Sequence, residues 1–243
     1  RSLSDFTRLS PVFDTVDSDT GAQSSGGANN RYNNIQIDGA VNNDLFGLAD
    51  TGTPGGQAET QPISIDAIAE LQVVTAPFDV RQGGFTGGGV NAVTRSGTNK
   101  WEGSVYHFTR DQDMVGDGPE DSPLSEFSDE TTGFRVGGPI IKDRAFVFVN
   151  AEITRRDQPS DFLIDGSGTD RDFGHVEEAQ RFRDILQNTY GYDPGGFGEF
   201  IRKTDSDKIF VRFDFNLTES HQLTVRHNFI DAFNDVDRRS NFN

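Results

Sequence analysis

The stretch that decides the fold runs from residue 83 to 104 and reads GGFTGGGVNAVTRSGTNKWEGS. Its centre, residues 89–94, alternates apolar and polar side chains as a β-strand does. The residues before it are rich in Gly, Asn and Asp, whereas those after it alternate repeatedly. Arg95 and a glycine-containing turn then lead to Trp101, the only tryptophan. The pattern predicts a hinge that joins a compact N-terminal domain to a run of β-strands.

Composition removes several classes of function. The chain of 243 residues has a formal net charge of −17, which argues against a nucleic-acid partner because such proteins need a basic surface. It contains no cysteine, so disulfides, thiol catalysis and cysteine-based zinc sites are excluded within it. No apolar run approaches the ~18 residues of a membrane helix, but a barrel strand needs only about 10 alternating residues. The first residues, RSLSDFTRLS, resemble the interior of a longer sequence rather than a signal peptide.

The N-terminal part is predicted to contain short strands and one helical turn. Residues 31–38 form the first clear strand, which ends at the turn signal Asp38-Gly39. Ile65, Ile68 and Leu71 are spaced about one helical turn apart, and residues 70–75 follow as a buried strand. Residues 88–94 form the last strand. Such pieces predict a compact α+β domain of about 95 residues.

After the predicted hinge, five segments alternate like strands: residues 101–110, 133–141, 145–154, 208–217 and 222–231. The turns at 142–144 and 218–221 are short, whereas the connections at about 111–132 and 155–207 are long and acidic. This rhythm is typical of an outer-membrane barrel, although a soluble antiparallel sheet or sandwich also alternates. The second long connection contains a predicted helix over residues 175–189, either a loop helix packed on its own loop or a lid.

The order and spacing of several motifs resemble TonB-dependent outer-membrane transporters, most closely the Oar-like (OmpA-related) branch. The resemblance covers most of residues 31 to 154. The motifs that carry it are IDG with Asn42 at 37–42, IDAIAELQV at 65–73, GGGVNAVTR at 87–95, GFRVGGPI at 133–140 and FVFVNAE at 146–152.

The resemblance implies an α+β plug domain over residues 1–96, followed by the first strands of an antiparallel transmembrane β-barrel over residues 97–243. The long connections at about 111–132 and 155–207 would be extracellular loops. The family's TonB box and the branch's N-terminal β-sandwich are absent from this sequence. Far fewer strands are present than the ~22 of a plugged barrel, so the barrel is expected to be incomplete and the chain a fragment.

The resemblance further implies TonB-dependent active transport across the outer membrane of a Gram-negative bacterium, with a peptide or protein substrate. The partners would be outer-membrane lipid and the TonB–ExbB–ExbD complex. The alternative is a non-transporting outer-membrane surface protein, such as an adhesin or a subunit associated with a secretion machine, with a lipoprotein or secretion-machine partner. Neither enzymatic activity nor a cofactor is expected.

Two sets of residues follow from this interpretation. The predicted plug–barrel seam has a triple glycine that packs backbone closely against the barrel wall and a tryptophan near the membrane–water interface. The charged side chains on the polar strand faces are predicted to face the lumen, where they pair with the plug or line a substrate path. The seam set is Gly87, Gly88, Gly89, Asn91, Arg95, Gly97 and Trp101, and the lumen set is Arg135, Glu152, Arg212, Asp214 and Arg226.

Other titratable residues give weak signals. The four histidines are scattered without metal-ligand spacing, and Asp66 with Glu70 is interpreted as framework rather than as an acid–base pair. Asp111, Asp113 and Asp117 form a weak Ca²⁺ candidate. The EF-hand register does not fit this segment, so a solvated acidic loop is the competing interpretation.

Overall fold

The computed structural model describes residues 3–17, 22–49, 51–75, 87–116, 126–160, 164, 166, 174–198 and 200–235. Within these ranges the chain forms eleven strands, two α-helices and short 3-10 turns. It divides into two compact units. The first comprises Arg1–Phe108, Thr131–Thr154 and Asp205–Asn234, and the second comprises Thr109–Glu130, Arg155–Thr204 and Asp235–Asn243.

The N-terminal segment is built mainly of short strands. Helix α1 (Leu3–Thr7) precedes an antiparallel pair, β1 (Phe13–Asp17) and β2 (Ala22–Ser25). A four-stranded sheet has the order β4-β3-β6-β5. Its members are β3 (Asn34–Ile37), β4 (Ala40–Val41), β5 (Ile68–Thr75) and β6 (Gly88–Thr94), and β6 runs parallel to β3 and antiparallel to β5.

The strand predicted over residues 88–94 is confirmed, and it is a central strand of that sheet. Val90 and Ala92 are buried in a core with Ile37 and Ile63, because alternate side chains of β6 point into it. Asp38 and Gly39 both have positive φ, 48° and 80°, and form the two-residue turn between β3 and β4. That turn confirms the Asp-Gly signal.

Two local predictions in this segment were wrong. The helical turn expected over residues 65–71 is only a 3-10 turn, Ile65–Ala67, and β5 starts at Ile68 because that residue pairs with Thr94 of β6. Sheet pairing therefore overrides the helical spacing of the isoleucines. The strand expected from residue 31 begins at Asn34, because residues 30–32 form a 3-10 turn whose Arg31 N–H donates to the Asn29 side chain.

The C-terminal part forms a five-stranded sheet whose strands follow chain order. Four strands extend further than predicted, and two of them by the most: one reaches Pro159 instead of Thr154, and another starts at Ile201 instead of Lys208. The strands predicted over 133–141 and 222–231 run over Ser128–Ile141 and His221–Asn234. Polar residues break the apolar alternation there, but backbone pairing continues. The long connections are therefore shorter than expected. The strands are β7 (Glu102–Asp111), β8 (Ser128–Ile141), β9 (Ala145–Pro159), β10 (Ile201–Thr218) and β11 (His221–Asn234).

Burial on this sheet is the reverse of that in a water-soluble sheet, which hides its apolar face. Val105 is 82% exposed and Phe229 is 50% exposed, whereas Asn150 and Lys208 are 0% and 7% exposed. Phe148 and Phe210 are apolar exceptions on the buried face, where their rings pack against each other. The polar face is therefore the covered face.

The second unit contains the helix predicted over residues 175–189. Helix α2 (Val176–Tyr190) starts after His175 and ends at Gly191, whose φ is 64°. The Gly191 and Tyr192 N–H groups donate to carbonyls of the last helical turn, as at many glycine-terminated helices. No residue of α2 is buried. Among the described residues, no helix has the length and apolarity needed to cross a bilayer.

Candidate functional site

The candidate site is the polar face of the five-stranded sheet together with the N-terminal residues that cover it. Residues 59–66, called here the 59–66 segment, contact side chains of all five strands. Glu59 and Pro62 accept hydrogen bonds from Asn234 and Asn228 of β11 at 3.2 and 2.7 Å. Thr60 shares a 2.6 Å hydrogen bond with Ser206 of β10. The remaining contacts, with β7, β8 and β9, involve Ser64 and Asp66.

The first cluster surrounds Glu152. Its Oε1 accepts a hydrogen bond from Lys208 Nζ at 2.9 Å, and its Oε2 accepts from Ser64 Oγ at 2.7 Å and from Tyr106 Oη at 2.8 Å. The Lys208 and Glu152 side chains are only 8% and 13% exposed. A pair of charges withdrawn from water needs this kind of additional hydrogen bonding to be tolerated. The cluster therefore joins β7, β9 and β10 to the 59–66 segment without leaving a net charge.

The second cluster joins the Asp38 turn to β10 and β11. Asp38 accepts hydrogen bonds at 2.7 Å from the Thr94 backbone N–H, the Thr94 hydroxyl and Arg226 Nη1. Arg212 donates to the Thr94 hydroxyl at 2.9 Å and to its carbonyl at 3.2 Å, and its Nη1 lies 3.6 Å from Asp38. The same guanidinium donates to Asp214 at 2.8 to 3.1 Å. The negative charges of the two carboxylates are therefore balanced by the positive charges of the two guanidinium groups.

The protonation state of Asp38 reflects this environment. Burial by itself would raise the pKa of Asp38, since it disfavours the charged form. The hydrogen bonds from Thr94 and Arg226, together with the nearby positive charge of Arg212, outweigh burial and lower the pKa below its usual range. Asp38 is therefore held as a carboxylate at neutral pH.

The third cluster consists of Asp66, Ser104 and Arg135. Ser104 Oγ donates to Asp66 at 3.2 Å and accepts from Arg135 Nε at 2.9 Å. Arg135 Nε lies 3.4 Å from Asp66 Oδ2. Ser104 therefore lies between the charges, and the cluster joins β7 and β8 to the end of the 59–66 segment.

The predicted lumen charges thus lie on one face of the sheet, and four of them contact the N-terminal segment directly. Asp214 does so only through Arg212. Several partners were not in the predicted set. Lys208 had the same strand phase as Arg212, which was a usable signal. For the other missed residues only the Asp-Gly turn gave a local clue. They are Asp38, Ser64, Thr94 and Tyr106.

The predicted role of the triple glycine as a contact with the barrel wall needs correction. A Cβ on Gly87 would lie 2.5 Å from Asn33 Oδ1, and one on Gly88 would lie 2.6 Å from Phe13. Gly89 is buried and pairs with Asn34 of β3. These glycines allow close packing inside the N-terminal segment instead, because β6 is a central strand with neighbours on both sides.

Asn91 and Arg95 also make their recorded contacts within the N-terminal segment. The Asn91 side chain donates to Gln72 at 3.1 Å and accepts from the Gly39 N–H at 2.9 Å. The Arg95 N–H donates to the Ala67 carbonyl at 2.8 Å. Both residues therefore tie β6 to its neighbours.

Gly97 and Trp101, by contrast, lie against the five-stranded sheet. A Cβ on Gly97 would lie 2.5 Å from the Val147 carbonyl oxygen and 2.7 Å from that of Gly138. The Trp101 ring covers Gly138, although Trp101 remains 62% exposed. These two members of the predicted seam therefore contact β8 and β9.

The Ca²⁺ candidate receives no support from the described residues. Asp111 Oδ1 accepts from the Asp113 and Met114 N–H groups at 3.1 and 3.2 Å, as a cap of a 3-10 turn. Asp117 lies outside the described residues. In the part of the chain that the structure describes, no group of three or more His, Cys, Asp or Glu side chains is arranged to hold a metal ion.

Comparison with known proteins gives the context of this site. Residues 93–166 match the family described as outer membrane beta barrel domain. The TonB-dependent transporter Oar of Myxococcus xanthus is 29% identical over 143 residues, which are 52% of this chain and 13% of Oar. The probable TonB-dependent siderophore receptor PirA of Acinetobacter baumannii is 39% identical over 82 residues, 33% of this chain and 10% of PirA.

Two solved structures share the fold. The siderophore receptor PirA from Acinetobacter baumannii superposes with a TM-score of 0.60 at 22% identity, covering 96% of this chain and 29% of that one. The outer membrane transporter YddB from Escherichia coli gives 0.63 at 14% identity, covering 97% of this chain and 31% of that one. The chain thus spans less than a third of the length of each of these relatives. These relatives are transporters and receptors rather than enzymes.

The resemblance drawn from the sequence is confirmed: the homologues of this chain are TonB-dependent transporters, and its match to an outer membrane beta barrel domain over residues 93–166 supports a location in the outer membrane of a Gram-negative bacterium.

Proposed function

We propose that this chain is part of a TonB-dependent active transporter, in which residues 1–96 form the plug and residues 97–243 form the first strands of the barrel wall. The observation that carries this proposal is the set of hydrogen bonds and one ion pair that join the 59–66 segment to all five strands. A plug that occludes a lumen must contact the wall along its inner face, and this segment does so.

The reversed burial of the five-stranded sheet supports the same assignment. Ile209 and Leu217 are 45% and 62% exposed on the outer face, where lipid would cover them. Ser206 and Lys208 occupy alternate positions of the same strand, so their side chains point to the opposite, inner face, where they are 3% and 7% exposed. A water-soluble sandwich would hide the first pair and expose the second.

The polar contacts between the plug and the wall are of a kind that can be broken and formed again. Hydrogen bonds lost between plug and wall can be replaced by hydrogen bonds to water, so each contributes only about 0.5–1.5 kcal/mol net. The charged clusters are balanced, so each side would hydrate on separation. Energy delivered from the inner membrane through TonB would release these contacts. The long connections are at the opposite end of the strands from the short turns, and they would contact substrate outside the cell.

The substrate class proposed is a peptide or protein, which follows the Oar-like resemblance. The PirA relative is named a siderophore receptor, so an iron chelate is the competing class. Competition for uptake between peptide extracts and iron chelates in cells that carry the full-length protein separates the two classes.

The proposal of energised release is tested by cysteine accessibility in the full-length protein. Ser206 is 3% exposed beneath Thr60, so a cysteine introduced at position 206 reacts with a maleimide only when the 59–66 segment moves. All other cysteines are first replaced by serine. We expect labelling to be faster in energised cells with TonB than in cells without TonB. Glu219→Cys, in the exposed turn between β10 and β11, is the control that labels equally in both.

A second variant tests whether movement is needed for uptake. The Thr60 and Ser206 hydroxyls share a 2.6 Å hydrogen bond, so the two side chains face each other, and Thr60→Cys with Ser206→Cys should cross-link under oxidation. Uptake should stop when the bond forms and return after reduction, while each single variant transports normally. Undiminished uptake with the bond intact, or TonB-independent labelling, contradicts the proposal and favours a non-transporting surface protein.

A further inference from the structure

Two ion pairs of the candidate site lie entirely within the five-stranded sheet. Lys208 of β10 donates to Glu152 of β9 at 2.9 Å, and the N-terminal segment adds the uncharged Ser64 to this pair. Arg212 and Asp214, both on β10, are joined by three hydrogen bonds of 2.8 to 3.1 Å. Both pairs would stay together if the N-terminal segment moved, because each has its two charges on the sheet.

Two other ion pairs are divided between the N-terminal segment and the sheet. Arg226 Nη1 of β11 lies 2.7 Å from Asp38 Oδ2. Arg135 Nε of β8 lies 3.4 Å from Asp66 Oδ2. Within the part of the chain that the structure describes, neither arginine forms an ion pair with another carboxylate. Displacement of the N-terminal segment would therefore take away the counter-charge of both arginines.

Proton transfer would not remove this imbalance. The hydrogen bonds that Asp38 accepts from the Thr94 N–H and hydroxyl, both 2.7 Å, lie within the N-terminal segment and would move with it. Such donors stabilise the charged form of a carboxyl group, so Asp38 would leave as a carboxylate. A guanidinium group stays protonated in proteins. The face that release uncovers would therefore have two positive charges without counter-charges, one at Arg135 and one at Arg226.

We propose that Arg135 and Arg226 become binding sites for carboxylate groups of the substrate once their partners in the N-terminal segment have left. A guanidinium presents a fork of N–H donors that fits a carboxylate through two parallel hydrogen bonds. A substrate carboxylate takes the place of the departed side chain, so each arginine has a partner in both states. The inference rests on the proposed transport function and deepens it, because it names the substrate as one that carries carboxylate groups, such as an acidic peptide.

The test measures the charge preference beside Arg226 in cells that carry the full-length protein. Asn228 is on the same face of β11, two residues away, and its side chain donates to the Pro62 carbonyl at 2.7 Å. A cysteine is introduced at position 228, with all other cysteines replaced by serine. Its reaction rates with the sulfonatoethyl (anionic) and trimethylammonioethyl (cationic) methanethiosulfonates are measured in energised cells, and the rates in cells without TonB are subtracted. The ratio of the two rates reports the local charge, because differences in access affect both reagents alike.

Arg226→Gln should lower the ratio of the anionic to the cationic rate. At low ionic strength, a unit charge roughly 7 Å away in water changes the concentration of a monovalent ion about 2.7-fold, in opposite directions for the two reagents, so the ratio should fall about sevenfold. Arg226→Lys keeps the charge and should keep the ratio. Arg8→Gln, which removes an arginine whose side chain is 63% exposed elsewhere, should not change it. Ser104→Cys with Arg135→Gln makes the same measurement at the second site.

Asp38→Asn shows whether the carboxylate has left. If Asp38 has moved away from Arg226, this substitution leaves the ratio in energised cells unchanged. A ratio that rises means that Asp38 is still beside Arg226 and overturns the proposal, as does a fall of less than about twofold in Arg226→Gln. Absence of TonB-dependent labelling at both positions 206 and 228 overturns the transport function, and this inference with it, so the two failures can be distinguished.

Discussion

Replacing Asp38 with Asn should loosen the N-terminal sheet from β10 and β11. Asp38 has a φ of 48°, and Asn tolerates positive φ nearly as well as Asp, so the substitution changes charge and not backbone strain. The carboxylate accepts hydrogen bonds at 2.7 Å from two Thr94 donors and from Arg226. An amide has one accepting oxygen, and its NH2 group would face a donor.

The expected cost follows from these contacts. A hydrogen bond to a charged group contributes about 1.5–3 kcal/mol, and at least one is lost whichever way the amide is oriented. Arg226 and Arg212 also lose part of their counter-charge, while their side chains remain only 26% and 17% exposed. Together these effects give about 2–4 kcal/mol, less than removal of a partner from a fully buried pair.

Hydrogen–deuterium exchange of the full-length protein measures this cost directly. Amides of residues 34–41 and 88–94 should exchange about 30- to 1000-fold faster, since each 1.4 kcal/mol of opening free energy is a factor of ten. Asp5→Asn is the control, because its ion pair with Arg8 is exposed and contributes less than about 1 kcal/mol. If exchange in both segments changes less than threefold, Asp38 does not couple the two sheets and this reasoning is wrong.

Four further results are expected. The pKa of Asp38 is lowered by folding, so its stabilisation is present above the unfolded value of about 3.9 and is lost as pH falls through the folded value; the protection factors of residues 34–41, which are exchange rates corrected for the intrinsic effect of pH, should therefore fall on acidification, and Asp38→Asn should remove that dependence. Glu152→Gln leaves the Lys208 charge buried and should destabilise by about 3 kcal/mol in denaturant titrations, with partial rescue by Lys208→Met. Gly97→Ala should destabilise by about 1–3 kcal/mol, measured the same way, because its Cβ would meet backbone oxygens. Phe210→Ala, at a position 2% exposed, should cost about 3–5 kcal/mol, and a cost below 1 kcal/mol would contradict its place in the core.

The elements that the sequence predicted well were those with a strong local signal. Residues 88–94 alternate small apolar and polar side chains, and they form a strand with those bounds. The Asp38-Gly39 pair forms the tight turn that its residue types favour. The alternation around Lys208 correctly separated the covered face from the exposed one. In each case the side chains themselves specify the backbone geometry.

The elements that the sequence did not predict depend on distant partners. The 59–66 segment has no periodicity, and its position is set by side chains such as Glu152 and Asn228, which are 88 and 166 residues away from their partners. The ends of β9 and β10 were underestimated because pairing with neighbouring strands continues through polar residues. Such pairing depends on the other strand rather than on local propensity.

The stretch from residue 83 to 104 was expected to act as a hinge, and its contacts argue for a fixed attachment instead. A hinge is a few residues free to change backbone conformation. Here Gly97 packs against backbone of the five-stranded sheet, and Trp101 covers a glycine of β8. Asn99 and Asp143 exchange two hydrogen bonds, at 2.6 and 2.8 Å. Because these contacts hold residues 97–101 to the strands, displacement of the N-terminal sheet must begin before them, at the hydrogen bonds of Thr94 and Asp38.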